Sequence, residues 1–164
     1  MRPTSALIDL QREAMNEHAS LVAVMEKAYD YAVENELHEL ETWLYNELNG
    51  YPETTITPWY RRLSGTLLAE MPFSGWHPIE GDGEDFKRHV TTFICRLPIA
   101  EIVTHHECKQ PIRLPFTSDE SAFLSDTVWE GETHMLFIEP HCFNNVVRQA
   151  LTKLVSILIN VHPR

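Results

Sequence analysis

The segments Trp43-Leu-Tyr-Asn-Glu-Leu-Asn-Gly-Tyr51 and Pro58-Trp-Tyr-Arg-Arg62 mark the point where helical periodicity ends and a different kind of structure begins. Leu48 is the last apolar residue at helical spacing, and Asn49 can serve as the cap of the helix. Gly50 has no Cβ atom, so it adopts a positive φ angle without steric cost. The first segment therefore predicts a helix that ends at this glycine.

Upstream of this terminator, apolar residues recur every three or four positions, which is the spacing of one helix face. The pattern predicts a short helix from Ser5 to about Asn16 and a second helix capped by Ser20. A third helix carries its apolar stripe on Leu37, Leu40, Leu44 and Leu48. Because the connections between these helices are short, residues 5–50 are predicted to form a helical part that includes a hairpin.

Downstream of the terminator, the apolar period changes from helical to alternating, which is typical of strands. Residues 58–139 are predicted to form a mixed α/β part with strands at about 63–71, 90–97, 112–116 and 133–138, short helices at about 98–106 and 117–124, and a mobile loop at 72–85. Residues 140–161 are predicted to form a long C-terminal helix. The last two turns of that helix have almost no polar side, which indicates that it is largely buried.

These elements predict a single α+β domain over residues 1–164. In it, the N-terminal helical hairpin packs with a small mixed β-sheet and with the buried C-terminal helix. The apolar end of that helix also predicts a homo-oligomer or contact with another protein, with burial in the domain's own core as the alternative. No membrane association is predicted.

The composition limits the kinds of partner and compartment. The chain has 24 acidic and 13 basic residues and a net charge of −11, which disfavours sequence-independent binding to nucleic acid. Its three cysteines, Cys95, Cys108 and Cys142, form no CxxC pair. Such usage is typical of a reducing compartment, so a cytoplasmic location is predicted.

No catalytic signature is present in the sequence. It has no GxSxG, GxxxxGK[ST] or GxGxxG motif. His105-His-Glu-Cys108, His134, His141 and Cys142 are of the types that zinc prefers, but their spacing does not reproduce a known arrangement of zinc ligands. We therefore predict no metal and no cofactor, assign no catalytic residue, and favour a binding module over an enzyme.

Trp59, Tyr60, Arg61 and Arg62 form the candidate binding group. Two guanidinium groups can bind a phosphate or carboxylate, while the neighbouring rings offer a stacking surface. If Arg61 contacts the anion, Arg61→Ala should abolish binding and leave the melting temperature nearly unchanged. In the alternative interpretation, Arg61 pairs with Glu47 across the junction of helix and strand, and the two aromatic residues fill the core or its rim.

The residues of these two segments resemble the signature of the AbiTii domain family, which is named after a component of a bacterial abortive-infection system. The resemblance extends over most of the chain and implies a role in anti-phage defence. The motif is not a catalytic signature, and its first half is explained as a helix terminator and packing corner. The matching residues are Trp43, Glu47, Asn49, Gly50, Tyr51, Pro58, Tyr60 and Arg61.

The resemblance and the residue pattern together predict a sensing or interaction module of an anti-phage abortive-infection system. It would bind a partner or an anionic ligand at the junction of the third helix and the first strand. The resemblance implies that the protein contacted by the apolar C-terminal helix is a second copy of the chain or a second defence-system protein. One alternative is a toxin-like effector such as a metal-dependent nuclease. A second alternative is a structural oligomerisation domain.

Overall fold

The computed structural model describes residues 4–79, 91–116 and 133–161. The helices in these residues are α1 (Ser5–Ala14), α2 (Leu21–Glu34), α3 (His38–Asn49), α4 (Ile99–Glu107) and α5 (His141–Asn160). The strands are β1 (Arg62–Ser64), β2 (Thr66–Met71), β3 (Gly75–Pro78), β4 (Thr92–Ile94), β5 (Ile112–Pro115) and β6 (His134–Ile138). A short 3₁₀ turn (Trp59–Arg61) precedes β1. The predicted α+β class is confirmed.

The first two helices each begin at a capping residue, which for α2 is the predicted Ser20. The Thr4 side chain accepts a hydrogen bond from Leu7 N, and the Ser20 side chain accepts one from Ala23 N. These bonds satisfy backbone donors that have no partner within the helix. α2 and α3 pack against each other and follow closely in the chain, and α5 packs against α1 and α4. Buried residues of all five described helices thus contribute to one apolar core.

The strands form two antiparallel sheets, in the orders β1-β4 and β3-β2-β6-β5, instead of the single mixed sheet that was expected. The predicted strand at 63–71 divides at Gly65, and its halves join different sheets. A Cβ atom at Gly65 would lie 2.6 Å from Ile138 Cδ1 and 2.9 Å from Phe137 O. The chain can pass this close to β6 only because position 65 lacks a side chain.

Two predicted segments, the loop at 72–85 and the helix at 117–124, lie partly or wholly outside the described residues. β3 lies within the predicted loop at 72–85, so part of that segment is a strand, while residues 80–90 are outside the described ranges. The predicted helix at 117–124 also lies outside them. No helix in the described part of the chain has the length and apolar character required to cross a membrane.

α5 contributes one continuous apolar face to the core. Its buried residues are Phe143, Val146, Ala150, Leu154 and Leu158. The end of the helix is therefore held by the domain itself along this face, as one of the two interpretations expected. Ile159, however, is 57% exposed, so the other side of the helix end faces outward. Contact of that side with a second copy or another protein stays a prediction.

Candidate functional site

Glu47 lies on the buried face of α3. This face also carries Leu40, Trp43 and Leu44, because residues three, four and seven positions apart share one side of a helix. The Glu47 side chain is fully buried. Since a buried carboxylate without a partner is strongly destabilising, this position requires a cation and hydrogen-bond donors from other elements.

Arg61 provides the cation from the 3₁₀ turn. Its Nη2 forms an ion pair with Glu47 Oε2, and both side chains are fully excluded from solvent. Nη1 donates to Cys95 O at 3.3 Å and also to Leu97 O. The guanidinium carbon lies 4.9 Å from the centroid of the Tyr51 ring. One arginine thus joins α3 to the segment between β4 and α4.

The second oxygen of Glu47 is satisfied by two phenols. Tyr51 donates its hydroxyl proton to Glu47 Oε1 at 2.9 Å, and the Tyr60 hydroxyl donates to the same oxygen. Trp43 Nε1 in turn donates to the Tyr60 hydroxyl oxygen at 3.0 Å. The side chains of Trp43, Glu47, Tyr51, Tyr60 and Arg61 therefore form one buried motif network.

Gly50 brings the chain into this network at the end of α3. Its φ angle is 95°, which an L-residue with a side chain rarely adopts. A Cβ atom at this position would lie 2.9 Å from Arg96 O, the same oxygen that accepts a hydrogen bond from Tyr51 N at 2.9 Å. Asn49 remains exposed and donates to Tyr45 O at 2.9 Å. The glycine thus permits the close approach that places Tyr51 over Arg61.

The hydroxyl groups of Tyr51 and Tyr60 keep their protons to a higher pH than an ordinary tyrosine does. Burial raises the pKa of Tyr51 and of Tyr60 well above the ordinary value, and the charge of Glu47 raises both further. In the unfolded chain these hydroxyls lose their protons near pH 10, whereas the folded protein retains them. The unfolded state therefore binds fewer protons above about pH 10, and stability decreases as the pH rises from that value.

We expect Tyr51→Phe to weaken this alkaline destabilisation. Wild type should lose unfolding free energy steadily between about pH 10 and pH 12, and the variant should lose it with a smaller slope because one shifted group is gone. Urea unfolding at a series of pH values measures both slopes. Tyr45→Phe is the matched control, since Tyr45 is 55% exposed. Equal slopes for Tyr51→Phe and wild type would contradict the expectation.

Two of the four predicted binding residues are exposed and two are buried. Trp59 is 71% exposed and meets Tyr60 edge-on, with ring centroids 6.0 Å apart. Arg62 is also exposed, whereas Tyr60 and Arg61 are buried. The expectation that Arg61 contacts an external anion is corrected, because its guanidinium is enclosed and paired with Glu47 as in the alternative interpretation. A binding role for Trp59 and Arg62 stays a prediction.

A groove opens beside the buried motif network, between α3, the loop that leads to the 3₁₀ turn, and α5. It has a volume of about 590 Å³ and is lined by Trp43 and Tyr51 of the network, by Ile56 and Pro58 of the loop, and by Lys153 of α5. Lys153 was not predicted from the sequence, since it only marked the polar side of the last helix. Its ammonium lies 4.7 Å from the centroid of the Trp43 ring.

The histidines and cysteines considered as zinc ligands are dispersed. His105 stacks on Phe143 with ring centroids 5.1 Å apart, and His134 is buried in β6. His141 Nδ1 lies 3.0 Å from Glu139 Oε2 near the start of α5. Within residues 4–79, 91–116 and 133–161, no group of at least three His, Cys, Asp or Glu side chains is placed to hold a metal ion.

Comparison with known proteins agrees with the resemblance found in the motif. A family model described as AbiTii matches residues 5–164, which is essentially the whole chain. No curated protein and no solved structure gave a match.

Proposed function

The chain belongs to the AbiTii family, and on that premise we propose that it is a sensing or interaction module of a bacterial anti-phage abortive-infection system. Family membership associates it with abortive infection and anti-phage defence. The module would bind a partner or an anionic ligand at the junction of α3 and β1. The contacts would come from the exposed Trp59 and Arg62 and from the groove lined by Ile56 and Pro58, which precede them in the chain.

The observation that carries this proposal is the combination of a buried, hydrogen-bonded interior with an open groove. The charged and phenolic groups of the buried motif network are engaged with one another, so they support the junction and are not free for a ligand. The groove beside them offers aromatic, apolar and hydroxyl groups together with the cation of Lys153. Such a mixture is typical of a recognition site, where apolar contact provides affinity and a few polar groups provide specificity.

The exposed apolar residues at the junction support the same proposal. Ile56 is 93% exposed and Trp59 is 71% exposed, and both lie in the short segment between α3 and β1. Tryptophan and arginine are the residues that most often dominate the energetics of protein interfaces. A neighbouring Trp59 and Arg62 on the surface are therefore suited to a contact, whereas Arg61 positions the segment from below.

The proposal predicts that the double variant Trp59→Ala/Arg62→Ala loses phage protection. Cells that carry the native locus would be challenged with a panel of phages, and plaque formation would be compared with that of cells lacking the locus. We expect the double variant to allow plaques as freely as the empty cells, because the contact surface at the junction is removed. The amount of protein should be unchanged, since both side chains are exposed.

Trp76→Ala/Arg148→Ala is the matched control, because it removes the same residue types from exposed positions elsewhere in the fold. This control should keep protection. A double variant at the junction that still protects would reject the binding role of the junction. A native locus that protects against none of the phages tested would reject the defence role itself.

A further inference from the structure

A second cavity adjoins the groove beside the buried motif network. This cavity of about 580 Å³ lies between α3 and the end of α5. The two cavities share His38, Glu39, Trp43 and Lys153, so they adjoin at these side chains, and together we term them the α3–α5 groove. Lys153 and Trp43 lie at its centre, and one cavity extends from them on each side. We call these two cavities the arms of the groove.

Both arms of the α3–α5 groove offer apolar surface. The arm toward the 3₁₀ turn is lined by Ile56 and Pro58, and the arm toward the end of α5 is lined by Leu40, Ile157 and Val161. An inorganic anion at the centre would leave both arms unfilled. The shape therefore favours a ligand that is apolar at both ends and extends from one cavity into the other.

The centre of the groove carries the ammonium of Lys153, which forms no ion pair with an acidic side chain in the described part of the chain. This ammonium lies over the Trp43 ring. The carboxylate of Glu47 below it is already paired with Arg61. At the rim, His38 Nδ1 lies 3.6 Å from Glu41 Oε2, and the exposed Glu39 carries one negative charge. A ligand carboxylate at the centre would give Lys153 its counter-ion.

We propose that the α3–α5 groove binds a short extended segment of a partner protein in which an acidic residue is flanked by apolar residues. The acidic side chain pairs with the ammonium of Lys153, and the flanking side chains lie in the two arms. Recognition of this kind combines hydrophobic anchors with one charge that fixes the register of the peptide. The inference rests on the proposed role as an interaction module and names the chemistry of its partner.

The test is a selection of binders from a library of randomised short peptides displayed against the immobilised full chain. We expect the enriched sequences to share an acidic residue between apolar ones. For the tightest peptide, Lys153→Gln should raise the dissociation constant about tenfold, which corresponds to roughly 1.4 kcal/mol. Ile56→Asp should also weaken binding, because it removes an apolar contact and places a negative charge in one arm.

The matched control is Lys27→Gln, which removes an exposed lysine of α2 that pairs with Glu13 at 2.8 Å, away from the groove. This variant should leave the dissociation constant unchanged. Lys153 and Ile56 are both exposed, so the melting temperatures of their variants should match that of wild type.

Three outcomes would overturn the inference: no peptide is enriched, the enriched peptides share no acidic residue, or both groove variants bind as tightly as wild type. Displacement of the peptide by inorganic phosphate, with equal affinity for phosphate in wild type and Lys153→Gln, would also count against it. A locus that protects while its protein selects no peptide would reject the groove inference alone. Peptide binding by a protein whose locus gives no protection would reject only the defence role.

Discussion

Replacing Arg61 with alanine is expected to lower the free energy of unfolding by about 3–5 kcal/mol. The substitution leaves the carboxylate of Glu47 without its cation in a site that is fully excluded from solvent. It also removes the donors to Cys95 O and Leu97 O, so two backbone carbonyls lose partners. Urea unfolding followed by circular dichroism measures the change as a shift of the midpoint.

Arg62→Ala is the matched control, because it removes the same side chain from the adjacent, exposed position. Its effect should stay within about 0.5 kcal/mol of wild type. The double variant Glu47→Met/Arg61→Met should recover much of the loss, since no unpaired charge remains in the core. If Arg61→Ala kept the melting temperature of wild type, the arginine would act at the surface, as the first sequence interpretation expected.

Replacing Phe143 with alanine is expected to cost about 3–5 kcal/mol. The ring is fully buried at the start of α5 and stacks on His105 of α4, with ring centroids 5.1 Å apart. Removing it leaves a cavity between two helices that also contact the central core, and rigid helices close such a cavity only partly. Thermal and urea unfolding should both report the loss.

Phe73→Ala is the matched control for this experiment. The Phe73 side chain is fully exposed in the turn between β2 and β3, so the same atoms are deleted without forming a cavity. Its unfolding free energy should remain within about 0.5 kcal/mol of wild type. Equal effects of the two substitutions would mean that the contact between α4 and α5 contributes little to stability.

The helices could be predicted from the sequence because their signals are local. Ser20, Gly50 and Pro98 act on the residues next to them, and each lies at a helix end in the structure. The division of the strands could not be predicted in this way. β1 and β2 are separated only by Gly65, yet they pair with β4 and β6, which are distant in the sequence. Such pairing depends on contacts that no local pattern encodes.

The positions of two charged residues of the candidate site, Arg61 and Lys153, also depend on contacts between elements that are distant in the sequence. The sequence leaves two interpretations of Arg61 open, an anion contact at the surface and a pair with Glu47, because arginine is rarely fully buried. The signal that favours the pair is the position of Glu47, which follows Leu40, Trp43 and Leu44 at the spacing of one helix face. An acidic residue on an apolar stripe indicates a buried partner. Lys153 offered no such signal, because its place over Trp43 depends on how α5 crosses α3.

The buried motif network also links the two sides of the loop at residues 52–58, which is largely exposed. Glu47 lies before the loop at residues 52–58 and Arg61 lies after it, so a cut in this loop would assign the two charges to different fragments. Each fragment alone would hold a charge that its own core cannot neutralise. The two pieces would fold only by reassembling around the ion pair. This loop is therefore a natural position for a split reporter whose signal depends on reassembly of the domain.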